Sequence, residues 1–266
     1  MSGEVLVRTG DAGVVHVTLR HAGRLNAMSR AMWHQLRWVF EDIQRSDARC
    51  VLIAGEGGAF CAGGDISEYP AFRFDQAALR VFHEDEVWGG LNAMLQCDVP
   101  IVACLAGACM GAGVEIASCC DVRVAGSSAR FGAPIAKLGF PMAPREAQLV
   151  AGAVGEMTAR QMLLEAATFT AQEMLERGFL SRVVADEFAA TEALSSALRI
   201  ATLAPQAARL NKQTLRALKV PAALDLQAQG AMKTIPTALT KAYDYAHSAE
   251  HREGVTAFLE KRPPVF

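Results

Sequence analysis

Apolar and polar positions follow two different regimes along the chain. Over roughly the first two thirds, short β-branched runs are separated by segments of helical period. Val14-Val15-His16-Val17-Thr18-Leu19 follows a similar run at Val5 to Val7, with Gly13 between them, which predicts an opening pair of strands. Ser29 then precedes a segment in which Met32, Leu36, Val39, Phe40 and Ile43 fall on one helical stripe, with Ser29 placed to cap it. The short apolar runs 50–54 and 101–105 each lead through a glycine-rich turn into a predicted helix. Val122-Arg123-Val124 and Ala129-Arg130-Phe131 add two further strands. Repetition of strand, glycine turn and helix predicts an α/β layered core over residues 1–186, the alternation ending near Val184.

From Glu187 the period becomes helical throughout. Stripes run through Leu194, Leu198 and Leu203, then Leu210, Leu215 and Leu218, and finally Val255, Phe258 and Leu259, with Pro205 and Pro221 at the breaks. Residues 187–266 therefore form a helical C-terminal region. No Ser- or Gly-rich linker separates it from the core, so the chain reads as one continuous unit whose tail packs on its own core or on another subunit.

Composition narrows the class of function. Of 266 residues 52% are hydrophobic, enough for a substantial core, and the net charge of -2 supplies no field for holding a polyanion. Nucleic acid is not expected as a partner. No apolar run approaches the ~20 residues of a membrane span, and the N-terminus lacks the basic-then-apolar order of a signal peptide, so a cytoplasmic protein without membrane association is expected. The seven cysteines are odd in number and scattered apart from the adjacent Cys119 and Cys120, which reads as reduced, packed thiols. Cys61 and Cys109 have no ligand-type spacing, and no metal is expected.

Two glycine turns carry the candidate chemistry: Gly57-Gly58-Ala59-Phe60-Cys61-Ala62-Gly63-Gly64-Asp65-Ile66 and Ala106-Gly107-Ala108-Cys109-Met110-Gly111-Ala112-Gly113-Val114-Glu115. Small residues allow close backbone approach and leave amide N–H groups uncovered. Two such groups converging from separate turns can hold an oxyanion at roughly 3 Å, the outline of an acyl-transfer or enolate site.

The full wording resembles the crotonase family, the enoyl-CoA hydratase/isomerase superfamily. The resemblance runs through Arg24-Leu25-Asn26-Ala27-Met28, then 59–66, then Gly111-Ala112-Gly113-Val114-Glu115-Ile116-Ala117, then Cys120-Asp121-Val122-Arg123-Val124-Ala125, then Phe131-Gly132. Residues 253–262 are similar to the family's closing helix. The resemblance implies a spiral of ββα units with a helical C-terminal trimerisation region, assembling as a homotrimer or a dimer of trimers. It implies an acyl-CoA thioester substrate, no cofactor beyond its CoA moiety, and an oxyanion hole formed by the N–H groups of Gly64 and Ala112. The acyl-CoA would pass Ala62 and Ile66, with Arg24 and Leu25 near the nucleotide and Phe258 and Lys261 contributing from the tail, across a subunit boundary.

Hydratases of this family resemble one another in two glutamates. Glu115 matches the first, but the second position, after Phe131-Gly132-Ala133-Pro134, is Ile135, which cannot transfer a proton. Burial would raise the Glu115 pKa and a helix N-terminus would lower it, and the sequence does not decide between them. Other polar groups could replace the missing carboxylate, in two regions, 139–147 and 82–88: Arg145 and Glu146 stand where relatives often have a small turn, though with Pro144 ahead of them they read first as an ordinary helix start. His83 and Glu86, three apart on a predicted helix, share a face that reads first as solvated.

The leading expectation is an acyl-CoA enzyme with an enolate intermediate, an enoyl-CoA hydratase with one of the two usual glutamates. The alternatives are another reaction on the same hole, such as thioester hydrolysis, decarboxylation or carbon–carbon cleavage, or a CoA-thioester-binding protein with negligible turnover. A dinucleotide-dependent oxidoreductase is disfavoured because no GxGxxG opens a βαβ unit.

Overall fold

The structure, a computed structural model, describes residues 3–218 and 243–266. It opens with β1 (Glu4–Thr9) and β2 (Val14–Arg20), an antiparallel pair in which Glu4 lies opposite Arg20 and Thr9 opposite Val15. Helix α1 (Arg30–Arg45) crosses to β3 (Cys50–Gly55), parallel to β2. Helices α2 (Gln76–Val81) and α3 (Trp88–Gln96), joined by a π-helical turn at Phe82–Val87, lead to β4 (Ile101–Leu105), parallel to β3. There follow β5 (Ala108–Met110), α4 (Ala112–Ser118), β6 (Val122–Gly126) and β7 (Arg130–Gly132). Then come α5 (Pro144–Val154), α6 (Glu156–Leu164), β8 (Thr168–Thr170), α7 (Ala171–Glu176) and β9 (Arg182–Val184). The tail contributes α8 (Ala189–Ala201), α9 (Pro205–Leu218) and α10 (Ala249–Leu259). One sheet has the order β1-β2-β3-β4-β6-β9, and a smaller one the order β5-β7-β8.

The period-two alternation of the parallel strands explains the layering. Val51 and Ile53 of β3 point into a core shared with Trp33, Leu36 and Phe40 of α1, while Cys50 and Leu52 point to the opposite face, against Ala193, Ala197 and Ala201 of α8. Trp33 and Phe40 are fully buried, each contributing about 1.5–3 kcal/mol of apolar transfer free energy. The alanine stripe of α8 lets that helix lie close to the sheet. Ser29 caps α1 as predicted, its side chain accepting from Met32 N–H at 3.3 Å. All seven cysteines are unpaired, and burial pushes the Cys61 and Cys120 thiols up to about 12, so they pack as apolar groups.

Pro205 starts α9, while Pro221 lies outside the described residues. The stripes of α9 and α10 face outward in the single chain: Leu215, Leu218, Val255, Phe258 and Leu259 are all exposed. No helix among the described residues is long and apolar enough to cross a membrane.

The two glycine turns are stitched together by backbone. Cys61 N–H donates to Ala108 C=O and Met110 N–H to Cys61 C=O, both at 2.9 Å, making a parallel bridge between Cys61 and Cys109. Helix α4 begins immediately after, its N-cap Gly111 at φ +48°, a left-handed conformation that side chains resist. At Gly113 the constraint is space, since a β-carbon there would sit 2.5 Å from the Cys61 carbonyl oxygen. Gly113→Ala is therefore expected to destabilise the protein by about 1–3 kcal/mol, read as a lower urea midpoint. An unchanged midpoint would mean that the two turns separate without cost.

Candidate active site

Both glycine turns open onto one cavity of about 360 Å³ beside α4. Gly64 and Ala112 line it, and among the described residues neither N–H has a hydrogen-bond partner. Amides around them are used: Met28 N–H donates to Gly63 C=O, Asp65 N–H to Met28 C=O and Gly111 N–H to Gly132 C=O, each at 2.8 Å. The chain thus leaves free the two donors that the sequence singled out.

Glu115, in the first turn of α4, is 6% exposed and opens onto the same cavity. Its side chain makes no hydrogen bond among the described residues. Burial holds its carboxyl well above the usual carboxylate range, and the negative charge of Glu146 pushes it further in the same direction. Ile135 lines the cavity as the sequence implied, with no carboxylate at that position.

The second carboxylate enters from elsewhere. Glu146 is 3% exposed, sits in the first turn of α5, and lines the cavity with Oε1 at hydrogen-bond distance, 2.8 Å, from His83 Nδ1. Glu146 is the helix-start residue expected of it and also one of the polar groups that the sequence offered in place of the missing carboxylate. Pro144 opens α5 as expected, but the turn it begins points Glu146 inward. Its neighbour Arg145 stays outside, paired with Glu84 at 3.3 Å.

The solvated face expected for His83 and Glu86 is corrected. Both lie in the π-helical turn, whose i→i+5 winding rotates residues three apart away from each other. His83 turns to the cavity and Glu146. Glu86, 5% exposed, turns to α1, where Arg30 Nε and Nη2 grip both its carboxylate oxygens.

Around the mouth, Ala62 and Ile66 line the cavity. Leu25 is exposed and held at φ +47°, its carbonyl accepting from Ala62 N–H at 3.0 Å. Arg24 Nη1 bonds Asp65 Oδ1 at 3.0 Å, next to Gly64. Burial pushes the Asp65 carboxyl up, but hydrogen bonds from Ser67 and the charges of Arg24 and His21 outweigh it and hold it below its usual value. Phe258 and Lys261 are exposed on and just beyond α10 and do not line the cavity of their own chain.

Three residues of the site were not singled out by the sequence. Asn26, 3% exposed, donates to the carbonyls of Glu56 and Ala59 at 2.9 and 2.8 Å, pinning the first glycine turn. Tyr69 lies over the hole, its hydroxyl 2.4 Å from where a Gly64 β-carbon would stand. Arg73 lines the cavity on the far side of Tyr69, with its guanidinium 4.5 Å from that ring. Asn26 was legible in the Arg24–Met28 motif; a tyrosine and an arginine in a loop carry no comparable signal.

Comparison with known proteins gives a consistent result. The sequence model of the family described as Enoyl-CoA hydratase/isomerase matches residues 9–266. The chain is 33% identical to a 2,3-dehydroadipyl-CoA hydratase of Escherichia coli K12, over 98% of each chain. It is 29% identical to a short-chain-enoyl-CoA hydratase of Clostridium acetobutylicum, over 98% of this chain and 96% of the relative. A crystal structure described as an enoyl-CoA hydratase/carnithine racemase from Magnetospirillum magneticum superposes with a TM-score of 0.89 at 30% identity, covering 100% of this chain and 96% of that one. With its two facing glycine turns and the buried glutamate after the second, the chain belongs to the enoyl-CoA hydratase/isomerase family, the crotonase superfamily.

Proposed function

We propose that the chain adds water across the double bond of an α,β-unsaturated acyl-CoA, with Glu115 and Glu146 as its two proton-transfer groups. The observation that carries this reading is the second buried carboxylate. Glu146 reaches the cavity from α5 and supplies what Ile135 lacks. A hydratase needs one group to accept a proton from water and another to deliver one to C2, and one carboxylate at a time does half of that work.

In this mechanism the thioester oxygen sits between the Gly64 and Ala112 N–H groups, each worth about 3 kcal/mol toward the developing enolate in a water-poor cavity. Glu146, oriented by His83, takes a proton from the attacking water as its oxygen bonds to C3. Glu115, kept protonated by burial and by the charge of Glu146, gives its proton to C2. The double-bond electrons move to the thioester oxygen and return as C2 is protonated, leaving Glu146 protonated and Glu115 ionised; passage of the proton from Glu146 to solvent and uptake of one by Glu115 restore the starting state and close the cycle. The chemistry calls on no cofactor beyond the CoA of the substrate.

The CoA portion is assigned to Arg24, Leu25, Ala62 and Ile66 at the cavity mouth. The exposure of Phe258 and Lys261 supports their serving a neighbouring subunit's site in a homotrimer or dimer of trimers. Seven unpaired thiols favour a reducing, cytoplasmic setting.

Hydration of crotonyl-CoA, followed by loss of the enoyl absorbance, is expected in the wild type and to fall by about a hundredfold to ten-thousandfold in Glu115→Gln and in Glu146→Gln. Release of free CoA without hydration would replace this reading with thioester hydrolysis. The pH profile tests the assignment of roles. A proton donor works only while protonated, so the rate falls as pH rises through the Glu115 pKa. Removing the Glu146 charge lowers that pKa, and the alkaline limb of the residual Glu146→Gln activity is expected at lower pH than in the wild type.

Stability gives an independent check. Between the ordinary carboxylate range and the raised native value, the folded chain holds a proton on Glu115 that the unfolded chain has lost. Stability from this group is therefore complete below that window and is lost as pH rises through it. Glutamine needs no proton. The Tm advantage of Glu115→Gln over wild type is expected to be near zero in acid and to grow as pH rises through the window; a constant difference would contradict a raised native pKa.

A further inference from the structure

The cavity does not end at Glu146. Past Tyr69 and Phe140 it shares its wall with an outer cleft of about 820 Å³, lined mostly by apolar side chains such as Phe74, Leu79 and Met142. Arg73 belongs to both spaces. Its guanidinium carbon lies 3.5 Å from the centre of the Phe140 ring and 4.5 Å from that of Tyr69, so the cation packs in the corner made by these two rings, which meet edge to face at 69°. Packing of this kind fixes its position but satisfies none of its N–H donors.

Those donors have no partner among the described residues. Among the described residues Arg73 forms no side-chain hydrogen bond and no ion pair, and its Nη1 is a buried polar atom left unsatisfied. Every neighbouring arginine with a buried contact is committed: Arg24 to Asp65, Arg30 to Glu86, Arg123 to the carbonyls of Phe179 and Cys120. Burial penalises the Arg73 charge and holds its pKa below the usual value, and the charge of Glu146 offsets this only from a distance. A half-buried guanidinium held against two aromatic rings, with Nη1 buried and unsatisfied in a mostly apolar channel, matches one ligand chemistry best, a planar anion that takes two parallel N–H bonds.

We propose that Arg73 recognises a carboxylate carried on the acyl chain, so that the preferred substrates are thioesters of dicarboxylic acids rather than plain fatty acyl-CoAs. The acyl group would leave the oxyanion hole, pass His83, and end with its carboxylate at Arg73. Its methylenes would meet the apolar wall and its terminal charge the Arg73 guanidinium, which belongs to both cavity and cleft. This inference rests on the acyl-CoA reading above but not on hydration.

The test uses saturated, unreactive thioesters, so that binding is read apart from turnover. Dissociation constants of succinyl-, adipyl- and suberyl-CoA are compared by calorimetry with those of butyryl-, hexanoyl- and octanoyl-CoA on wild type, Arg73→Met and Arg73→Lys. At least one carboxylated thioester is expected to bind wild type about ten- to a hundredfold more tightly than its plain counterpart. That ratio should collapse toward one in Arg73→Met and recover in part in Arg73→Lys. Equal affinity of the two series for wild type overturns the proposal without any variant. Equal weakening of both series by Arg73→Met does so too, because it marks a residue that only holds Tyr69 and Phe140 in place. If neither series binds, the acyl-CoA reading falls and this one with it; if the preference is found in a protein that hydrates nothing, only the hydration reading falls.

Discussion

The site depends on the backbone bridge between Cys61 and the Ala108–Met110 strand. Two hydrogen bonds fix the distance between a turn that ends β3 and a turn that follows β4, and these turns are far apart in sequence. Bridging brings the Cys61 carbonyl so close to α4 that only glycine fits at position 113. Once α4 is seated there, Ala112, at the first position of the helix, and Gly64, in the other turn, both line the cavity. Among the described residues both stay unpaired: Ala112 N–H is one of the first-turn donors that a helix leaves without an intrahelical acceptor, and Gly64 N–H meets no carbonyl. Free backbone donors of this kind cost little to build, since they are groups that the parallel stitching does not use.

The same geometry buries Glu115 one turn further along α4, and burial then dictates its chemistry. A carboxyl with no donor of its own in an apolar cavity keeps its proton, and a second negative group across the cavity strengthens that preference. Glu146 does not share the isolation of Glu115, because His83 Nδ1 lies at hydrogen-bond distance from it. Two carboxyls of the same residue type are therefore placed in unlike environments, as acid and base roles require. The π-helical turn makes this possible. With ordinary α-helical winding His83 and Glu86 would share one face, and the helix could not both tie Glu86 to Arg30 and present His83 to the cavity. One wider turn separates a structural ion pair from a site residue.

These details mark the boundary of what the sequence discloses. The strands, the Ser29 cap, the two glycine turns and Glu115 were legible because each is a local pattern: an apolar period, a cap residue, small residues at a close approach. The vacancy at Ile135 was legible too, being one residue in one motif. Which of the offered groups fills it was not. Glu146 at a helix start after Pro144 satisfies the local rule for a dipole-complementing glutamate, and whether such a group points outward or inward depends on how α5 packs against α4, a contact between distant segments. His83 and Glu86 were misplaced for a related reason, since periodicity assumes 3.6 residues per turn and a π turn breaks that assumption without a sequence mark. Arg73 and Tyr69 carry meaning only through Phe140 and Gly64, their neighbours in space.

The tail shows the complementary case, in which polar and apolar positions serve different tasks. Helix α10 is tied to the rest of the chain by polar contacts: Glu250 accepts from Gln206 N–H at 2.9 Å, and Arg49 donates to the Phe266 carbonyl. Glu253 grips Arg262 and accepts from Val265 N–H, closing the C-terminal turn on itself; these bonds hold its carboxyl at about 2. Its large apolar side chains take no part, with Phe258 82% exposed. A helix stabilised by burying its own stripe would turn Phe258 and Leu259 inward and leave the charged residues outside. The reverse arrangement fixes the helix by its polar groups and leaves its apolar ones pointing away from the core. That division favours the assignment of Phe258 and Lys261 to a site on another copy of the chain, since their own cavity is already walled by the 135–142 segment and α5.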